Sequence, residues 1–306
     1  MKVVPPPRLE GTYQLDDTRR ISFAEYGSPH GLPVFWFHGT PGGSRQIAPA
    51  TRIAATELGI RLIALDRPGI GASTAHLHPD VGAFADDVLC IADRLGIEQF
   101  ACIGLSGGGP YVLACAARAP DRVVACALLG SVAPSHGPEA VGGGLVGLIH
   151  RFAPAIEASR GVIARALHPF YRLLVPFRWQ VFDAYIALQP EGDQRVFQRP
   201  EMRDMFVDDL LHAARAQLQA PLIDVLLFTR DWGFSLRTIT VPIRIWHGDE
   251  DWIVPLAHAE HMAALLADAE LRVRPGESHL GALDASYEIF ETILALWPEP
   301  RAERAG

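Results

Sequence analysis

A serine flanked by glycines at a predicted strand-to-helix turn is the residue best suited to nucleophilic chemistry. Residues 104–108 read Gly-Leu-Ser-Gly-Gly, and they lie between an apolar run at 100–105 and an Ala-rich segment at 111–118. At such a turn a Gly-x-Ser-x-Gly sequence strains the serine backbone and lifts its hydroxyl over the sheet edge. We therefore predict that Ser106 is a nucleophile. A glycine-rich turn that only packs closely would show the same letters.

A serine hydroxyl needs partners before it can attack. A histidine must take its proton, and a carboxylate must orient that histidine. Both should follow later strands, because the carboxyl ends of parallel strands meet at the edge to which Ser106 points. Three acids follow one predicted strand and an imidazole follows the next: Asp249, Glu250, Asp251 and His279. The order is Ser, Asp, His, and spacing alone leaves the choice among the acids open.

Apolar runs alternate with amphipathic segments along most of the chain. Predicted strands lie at residues 13–15, 20–26, 34–37, 61–65, 100–105, 123–129, 241–246 and 270–274. Predicted helices lie at residues 47–58, 80–95, 111–118, 202–217, 256–267 and 286–297. Strands alternating with helices favour parallel pairing and an open sheet that helices cover on both faces. The sequence thus predicts an α/β fold with a mostly parallel, doubly wound sheet.

The alternation stops in one long segment, residues 136–232, which we call the cap segment. It holds helical patches interrupted by prolines and no convincing strand. We predict a core domain made of residues 1–135 and 233–306, with the cap segment as a helical cap inserted over the site. Two ordinary crossover helices joined by loops are the alternative.

Composition limits the partners. The 306 residues are 49% hydrophobic and 20% charged, which suits one large domain or a domain with an insertion. A net charge of −8 leaves no basic stripe, so nucleic acid and anionic membranes are not expected partners. The start lacks the apolar core of a signal peptide, and no apolar run approaches membrane-spanning length, so we expect a cytoplasmic protein.

Five motifs resemble those of the α/β-hydrolase family, in the family's order and over nearly the whole chain except the cap segment. They are His-Gly-x-Pro at 38–41, Asp-Arg-Pro-Gly-x-Gly at 66–71, Gly-x-Ser-x-Gly at 104–108, His-Gly-x-x-Asp-x-x-Val-Pro at 247–255, and the histidine loop at 276–279. As a set they are far more specific than any one of them.

The resemblance implies a role for each matching residue. Ser106 would be the nucleophile, His279 the base and Asp251 the orienting acid. The oxyanion of a tetrahedral intermediate needs two N–H donors. Gly107 would supply one because it directly follows the nucleophile, and Thr40 would supply the other by resemblance. Neither a cofactor nor a metal ion is expected.

Four other histidines are predicted to be structural. His38 and His247 each precede a glycine at a strand end, so we expect them to hydrogen-bond loop backbone. His258 and His261 stand three apart on a predicted helix, and no cluster of carboxylates or cysteines accompanies them, so we expect a solvated face and no metal site there.

The sequence favours a serine hydrolase that cleaves a carboxylic ester, or a similar acyl substrate, through an acyl-enzyme. Alternatives are a prolyl-type aminopeptidase, another acyl or carbon–carbon bond hydrolase, and a non-catalytic binding protein on the same scaffold. An aminopeptidase needs an acid under the cap segment to hold the substrate amine. The candidates are Glu157, Asp183, Glu201, Asp204, Asp208 and Asp209.

Overall fold

An eight-stranded sheet organises the protein in the computed structural model. The structure describes residues 6–144, 175–214 and 220–298, together with residues 147, 148, 151, 152, 154, 155, 158, 159 and 173. The strands are β1 (Leu9–Gln14), β2 (Arg20–Gly27), β3 (Leu32–Phe37), β4 (Ile60–Leu65), β5 (Phe100–Leu105), β6 (Val123–Leu129), β7 (Ile243–Gly248) and β8 (Ala269–Arg274). Their order is β1-β2-β4-β3-β5-β6-β7-β8. The pairs β1–β2 and β2–β4 are antiparallel, and all others are parallel.

Helices cover both faces of this sheet. Those outside the cap segment are α1 (Pro49–Glu57), α2 (Phe84–Arg94), α3 (Gly109–Arg118), α8 (Ala257–Leu265) and α9 (Ser286–Ala295). Because successive side chains of a strand point to opposite faces, Phe35 joins a buried cluster with α2, α3 and α8, whereas Trp36 joins one with α1 and α9. The central strands are apolar almost throughout, as expected of strands buried on both sides.

The cap segment connects two neighbouring strands, β6 and β7. Its described residues form α4 (Arg178–Ala187), α5 (Glu191–Phe197), α6 (Pro200–Ala213) and α7 (Ala220–Phe228), with no strand among them. Helices α5 and α6 pack on the cluster that contains Trp36, and α7 packs on the other cluster. The boundaries at 136 and 232 stay a prediction, as does the division into two domains.

The predicted fold class is confirmed: the sheet is mostly parallel and doubly wound. Several element boundaries differ from prediction, among them those of β1, β7 (predicted 241–246, observed Ile243–Gly248), α2 (predicted 80–95, observed Phe84–Arg94) and α6. Strand β1 begins at Leu9, before the predicted start at residue 13. It is an edge strand whose residues are largely exposed, so no apolar alternation marks its start in the sequence. Helix α6 ends at Ala213, and residues 215–219, where we predicted its last turn, lie outside the described residues. In the part of the chain that is described, no helix is long and apolar enough to cross a membrane.

Candidate active site

The turn after β5 has the strained geometry predicted for a nucleophile. Ser106 has a φ of 52° and is the only non-glycine with positive φ among the described residues. Such a conformation costs about 1–3 kcal/mol and persists only where the surroundings impose it. The turn packs closely on β3, where only glycine fits at residue 108, because a Cβ at Gly108 would lie 2.1 Å from the carbonyl oxygen of Phe37. The chain then enters α3 at Gly109, so Ser106 stands where strand becomes helix.

The predicted nucleophile, base and acid form one hydrogen-bonded chain. His279 Nε2 lies 2.8 Å from Ser106 Oγ, and His279 Nδ1 lies 2.7 Å from Asp251 Oδ2. All three residues are buried, with 9% of Ser106, 7% of His279 and 5% of Asp251 exposed. A neutral imidazole that carries its proton on Nδ1 donates to Asp251 and accepts from the Ser106 hydroxyl. That tautomer is the one a general base requires.

The loop after β7 brings Asp251 to the imidazole and turns the other two acids away. Asp251 Oδ1 accepts hydrogen bonds from the backbone N–H groups of residues 253 and 254, both at 2.9 Å, which leaves Oδ2 free to face His279. Asp249 is exposed and accepts from Gly276 N at 2.7 Å, and Glu250 is exposed as well.

Burial and charge act in opposite directions on the two buried partners. Burial by itself would raise the pKa of Asp251, but the charge of His279 and hydrogen bonds from His247 and His279 outweigh it and lower the pKa. Burial by itself would lower the pKa of His279, but the charge and hydrogen bond of Asp251, with a further contribution from Asp193, raise it above the usual value. Asp251 is therefore held ionised, and it stabilises the imidazolium form of His279.

The predicted oxyanion residues lie side by side next to Ser106. We call residues 38–43, which follow β3, the oxyanion loop. A Cβ at Gly107 would lie 2.5 Å from Thr40 Oγ1, and a Cβ at Gly39 would lie 3.6 Å from the Cβ of Ser106. The structure thus brings the five predicted site residues together at the carboxyl edge of the sheet.

A cavity of about 440 Å³ opens onto this group. Its wall includes Thr40, Ser106 and His279. Half of the eighteen other wall residues are apolar residues of the cap segment: Val175, Val181, Phe182, Phe206, Val207, Leu210, Leu211, Ala213 and Ala214. The cap segment also contributes Arg178 and Tyr185. None of the described residues in the wall carries a carboxylate. The cavity can hold an apolar chain beside the Ser106 hydroxyl.

None of the described acids that we considered for binding a substrate amine lines the cavity, and several of them have other hydrogen-bond or ion-pair partners. Asp183 pairs with Arg203, and Asp208 pairs with Arg45. Asp209 is buried and accepts from backbone N–H groups of the oxyanion loop and of residue 45. Glu201 and Asp204 are half-buried and do not line the cavity, and Glu157 lies outside the described residues.

Sequence reasoning missed a second buried polar group behind the oxyanion loop. Arg67 pairs with Asp224, which stands 157 residues later in α7. The Asp-Arg-Pro-Gly motif could have drawn attention to Arg67 as a residue near the site. No sequence pattern indicated that Asp224 is its partner. Asp193, in α5, was missed for the same reason and accepts hydrogen bonds from Ser278 Oγ and Leu280 N, on either side of His279.

The predicted environments of the other histidines are confirmed for His38 and His247 but not for His258. His38 Nε2 accepts from the backbone N–H of Arg67, and His247 Nε2 donates to the carbonyl of Val254, so both bond loop backbone. The predicted solvated face was wrong for His258, which is fully buried and accepts from Ala133 N through Nδ1. An isolated His in a helical pattern gives no sign of whether its face packs on the core.

Known proteins resemble this chain over most of its length. Residues 33–156 match the family described as alpha/beta hydrolase fold. A non-heme haloperoxidase from Rhodococcus erythropolis is 30% identical over 273 residues, which cover 86% of this chain and 90% of the relative. A bifunctional esterase/perhydrolase from Acinetobacter calcoaceticus is 25% identical over 85% of this chain and 89% of the relative.

A solved structure agrees in fold. Bromoperoxidase from Bacillus anthracis superposes with a TM-score of 0.69 at 22% identity, covering 94% of this chain and all of that one (100%). Motif order, sheet topology and the likeness to the Rhodococcus erythropolis relative all point the same way. This chain belongs to the alpha/beta hydrolase fold family.

Proposed function

We propose that the protein is a serine hydrolase that cleaves a small carboxylic ester, or a similar acyl substrate, through an acyl-enzyme on Ser106. The observation that carries the proposal is the buried chain from Ser106 Oγ through His279 to Asp251, with hydrogen bonds of 2.8 and 2.7 Å, at the wall of an apolar cavity. A serine in this setting has a base to take its proton and an acid to hold that base in the correct tautomer.

In the acylation half, Ser106 Oγ attacks the ester carbonyl carbon while His279 Nε2 takes the hydroxyl proton. The N–H groups of Thr40 and Gly107 donate hydrogen bonds to the carbonyl oxygen as negative charge develops on it. The intermediate collapses, the carbon–oxygen bond to the alcohol breaks, and His279 returns its proton to the departing alkoxide. Asp251 stabilises the imidazolium throughout.

In the deacylation half, water gives a proton to His279 Nε2 as its oxygen attacks the acyl carbon. The second tetrahedral intermediate releases the carboxylic acid, and His279 returns the proton to Ser106 Oγ. The same two N–H donors hold the oxyanion in both halves.

The cavity wall supports an ester over an aminopeptidase substrate. A free amine in the substrate would be cationic at neutral pH and would need a carboxylate to offset its desolvation. The described wall is largely apolar and holds no carboxylate. Transfer of an acyl or alkyl chain from water into this cavity is favourable, because apolar surface is buried.

A second activity would use the same acyl-enzyme. One relative is described as an esterase/perhydrolase, which favours hydrogen peroxide as an alternative acceptor. The peroxide oxygen would attack the acyl carbon while His279 takes its proton; the bond from that carbon to Ser106 Oγ would then break, a peroxy acid would leave, and His279 would return the proton to Ser106 Oγ. Peroxy acid formed from an ester and hydrogen peroxide by wild-type protein, but not by Ser106→Ala, would support this activity.

A burst experiment tests the ester proposal. Wild-type protein mixed with p-nitrophenyl butyrate should release nitrophenol, with a burst if deacylation is slow, and a fluorophosphonate should label Ser106. Ser106→Ala should do neither. Nitrophenol release and labelling absent from folded wild-type protein would support a non-catalytic binding protein. Preferential cleavage of a proline anilide would support an aminopeptidase.

A further inference from the structure

The cap segment sends three buried aspartates to the loops that carry the predicted site. They are Asp193 from α5, Asp209 from α6 and Asp224 from α7, with exposures of 1%, 0% and 2%. A carboxylate loses much hydration free energy on burial and must recover it from hydrogen bonds or an opposite charge. The partners of each aspartate therefore indicate what the cap segment holds in place.

Asp224 faces the back of the oxyanion loop. Its Oδ2 accepts from Thr40 Oγ1 and from Arg67 Nη2, both at 2.6 Å. Its Oδ1 accepts from the hydroxyl of Tyr111 at 2.7 Å, and Arg67 Nε lies 3.1 Å away. Both carboxylate oxygens are thus satisfied, and one of their donors belongs to the loop itself.

Arg67 in turn binds that loop through its backbone. Its Nη1 donates to the carbonyl of His38 at 2.6 Å, and its Nη2 donates to the carbonyl of Gly39 at 3.0 Å. Only 1% of Arg67 is exposed. Asp224 holds the guanidinium plane in position, and the guanidinium holds two consecutive carbonyls of the loop.

The Gly39 carbonyl is decisive, because it belongs to the same peptide group as the Thr40 N–H. The peptide unit is planar and trans, so its C=O and N–H point in opposite directions. Two donors hold the Gly39 carbonyl, Arg67 Nη2 at 3.0 Å and His38 Nδ1 at 2.8 Å, and together they fix the Thr40 N–H in the opposite direction. This peptide group lies beside the nucleophile, since a Cβ at Gly39 would lie 3.6 Å from the Ser106 Cβ.

We propose that Asp224 is a positioning residue for the oxyanion hole: acting through Arg67, it fixes the peptide that presents the Thr40 N–H. The inference rests on the proposed serine hydrolase function. It makes a helix of the cap segment part of the apparatus for stabilising the transition state, in addition to its role in the cavity wall. Oxyanion donors contribute because they are oriented before the charge develops, and loss of that orientation reduces their effect.

The main test compares Asp224→Asn with wild-type protein. Asparagine keeps one acceptor oxygen but removes the charge that holds Arg67, so we expect kcat/KM for p-nitrophenyl butyrate to fall by about 10- to 100-fold. An alkyl trifluoromethyl ketone, whose adduct with serine places an oxyanion in the hole, should lose affinity by a similar factor. The corresponding trifluoromethyl carbinol has no carbonyl to attack, so its affinity should stay within about twofold. A merely structural role would weaken both compounds alike.

Two variants separate the route through Arg67 from the direct bond to Thr40. Arg67→Lys keeps a positive charge but loses the planar fork that reaches two carbonyls, so it should reproduce the selective loss of ketone affinity. Thr40→Val removes the hydroxyl, with its bonds to Asp224 and to Arg67 Nη2, but leaves both loop carbonyls on Arg67, so it should be milder. Thr40→Val as damaging as Asp224→Asn would overturn the route through Arg67. Arg67→Lys also provides the test if Asp224→Asn does not fold.

The matched control is Glu139→Gln, which removes another carboxylate of the cap segment. Glu139 accepts from Ser235 Oγ and Leu236 N and lies outside the cavity wall. We expect its ketone-to-carbinol affinity ratio to match wild type. If wild-type protein hydrolyses the ester while folded Asp224→Asn and Arg67→Lys keep the wild-type ratio, the positioning role is wrong although the proposed function stands. If wild-type protein has no esterase activity and gives no ketone adduct, the proposed function itself has failed.

Discussion

Replacing Asp251 by asparagine should lower turnover by about 10³- to 10⁴-fold, the scale seen when the orienting acid of a Ser-His-Asp triad is neutralised. The geometry explains the size. Oδ1 of Asp251 accepts from the N–H groups of residues 253 and 254 at 2.9 Å, so the asparagine carbonyl oxygen would stay there. Its NH₂ group would then face His279 Nδ1, 2.7 Å away.

An amide NH₂ can only donate, so Nδ1 of His279 would have to be unprotonated. The proton of the neutral imidazole would move to Nε2, which could no longer accept the proton of Ser106. A 10³- to 10⁴-fold loss corresponds to about 4–5.5 kcal/mol of transition-state stabilisation, at 1.36 kcal/mol per factor of ten.

The same variant should change the pH profile. Burial lowers the pKa of His279, while the charge and hydrogen bond of Asp251 and the charge of Asp193 raise it overall. Without the Asp251 charge, burial is opposed by Asp193 alone and the pKa falls. Catalysis needs the neutral imidazole, so the rising limb of kcat/KM against pH should move to lower pH in Asp251→Asn.

The assay is kcat/KM for p-nitrophenyl butyrate across pH, with Asp249→Asn as the matched control. Asp249 is exposed and binds Gly276 N, so its variant should stay within about threefold of wild type and keep the same inflection. Near-wild-type rates in Asp251→Asn beside an inactive Asp249→Asn would refute the assignment. An inflection that does not move in Asp251→Asn would refute the electrostatic argument.

Three further predictions follow from the site. In wild-type protein kcat/KM should rise with pH through a pKa above the ordinary value of His279, 6.5, and a limb that falls over that range would contradict a neutral base. Gly107→Ala should lower kcat at least about 100-fold, because the new Cβ would lie 2.5 Å from Thr40 Oγ1, and a folded, fully active variant would contradict the packing of the hole. Leu210→Trp should lower kcat/KM for an octanoyl ester by about 10-fold or more while an acetyl ester changes little, and equal effects on both esters would contradict a chain-binding cavity.

Local sequence patterns predicted most of the features that depend only on residues close together in the sequence. The turn at Ser106 and strand β6 follow from short patterns whose geometry is set within a few residues, whereas the choice of Asp251 came from the resemblance to the α/β-hydrolase family. Strand β4 pairs between β2 and β3, an order that depends on contacts between distant segments and leaves no local trace.

The buried polar groups were beyond sequence reasoning for a related reason. Asp224 and Asp193 look like ordinary helix-surface acids, and each is buried only because a partner elsewhere in the chain satisfies it: Arg67 for Asp224, and the loop around His279 for Asp193. The burial of His258 likewise depends on a distant backbone N–H, that of Ala133, which the sequence of its own helix does not indicate. A charged residue on a predicted helix is expected to be exposed to solvent unless its partner in the tertiary structure is known.

The most direct measurement is rapid acid quenching of wild-type protein turning over p-nitrophenyl butyrate, followed by peptide mass spectrometry. The assignment of Ser106 as nucleophile predicts a butyryl group on this residue that forms within the first turnover, disappears as substrate is exhausted, and is absent from Ser106→Ala. A butyryl group on another residue, or steady ester turnover by Ser106→Ala at the wild-type rate, would contradict it.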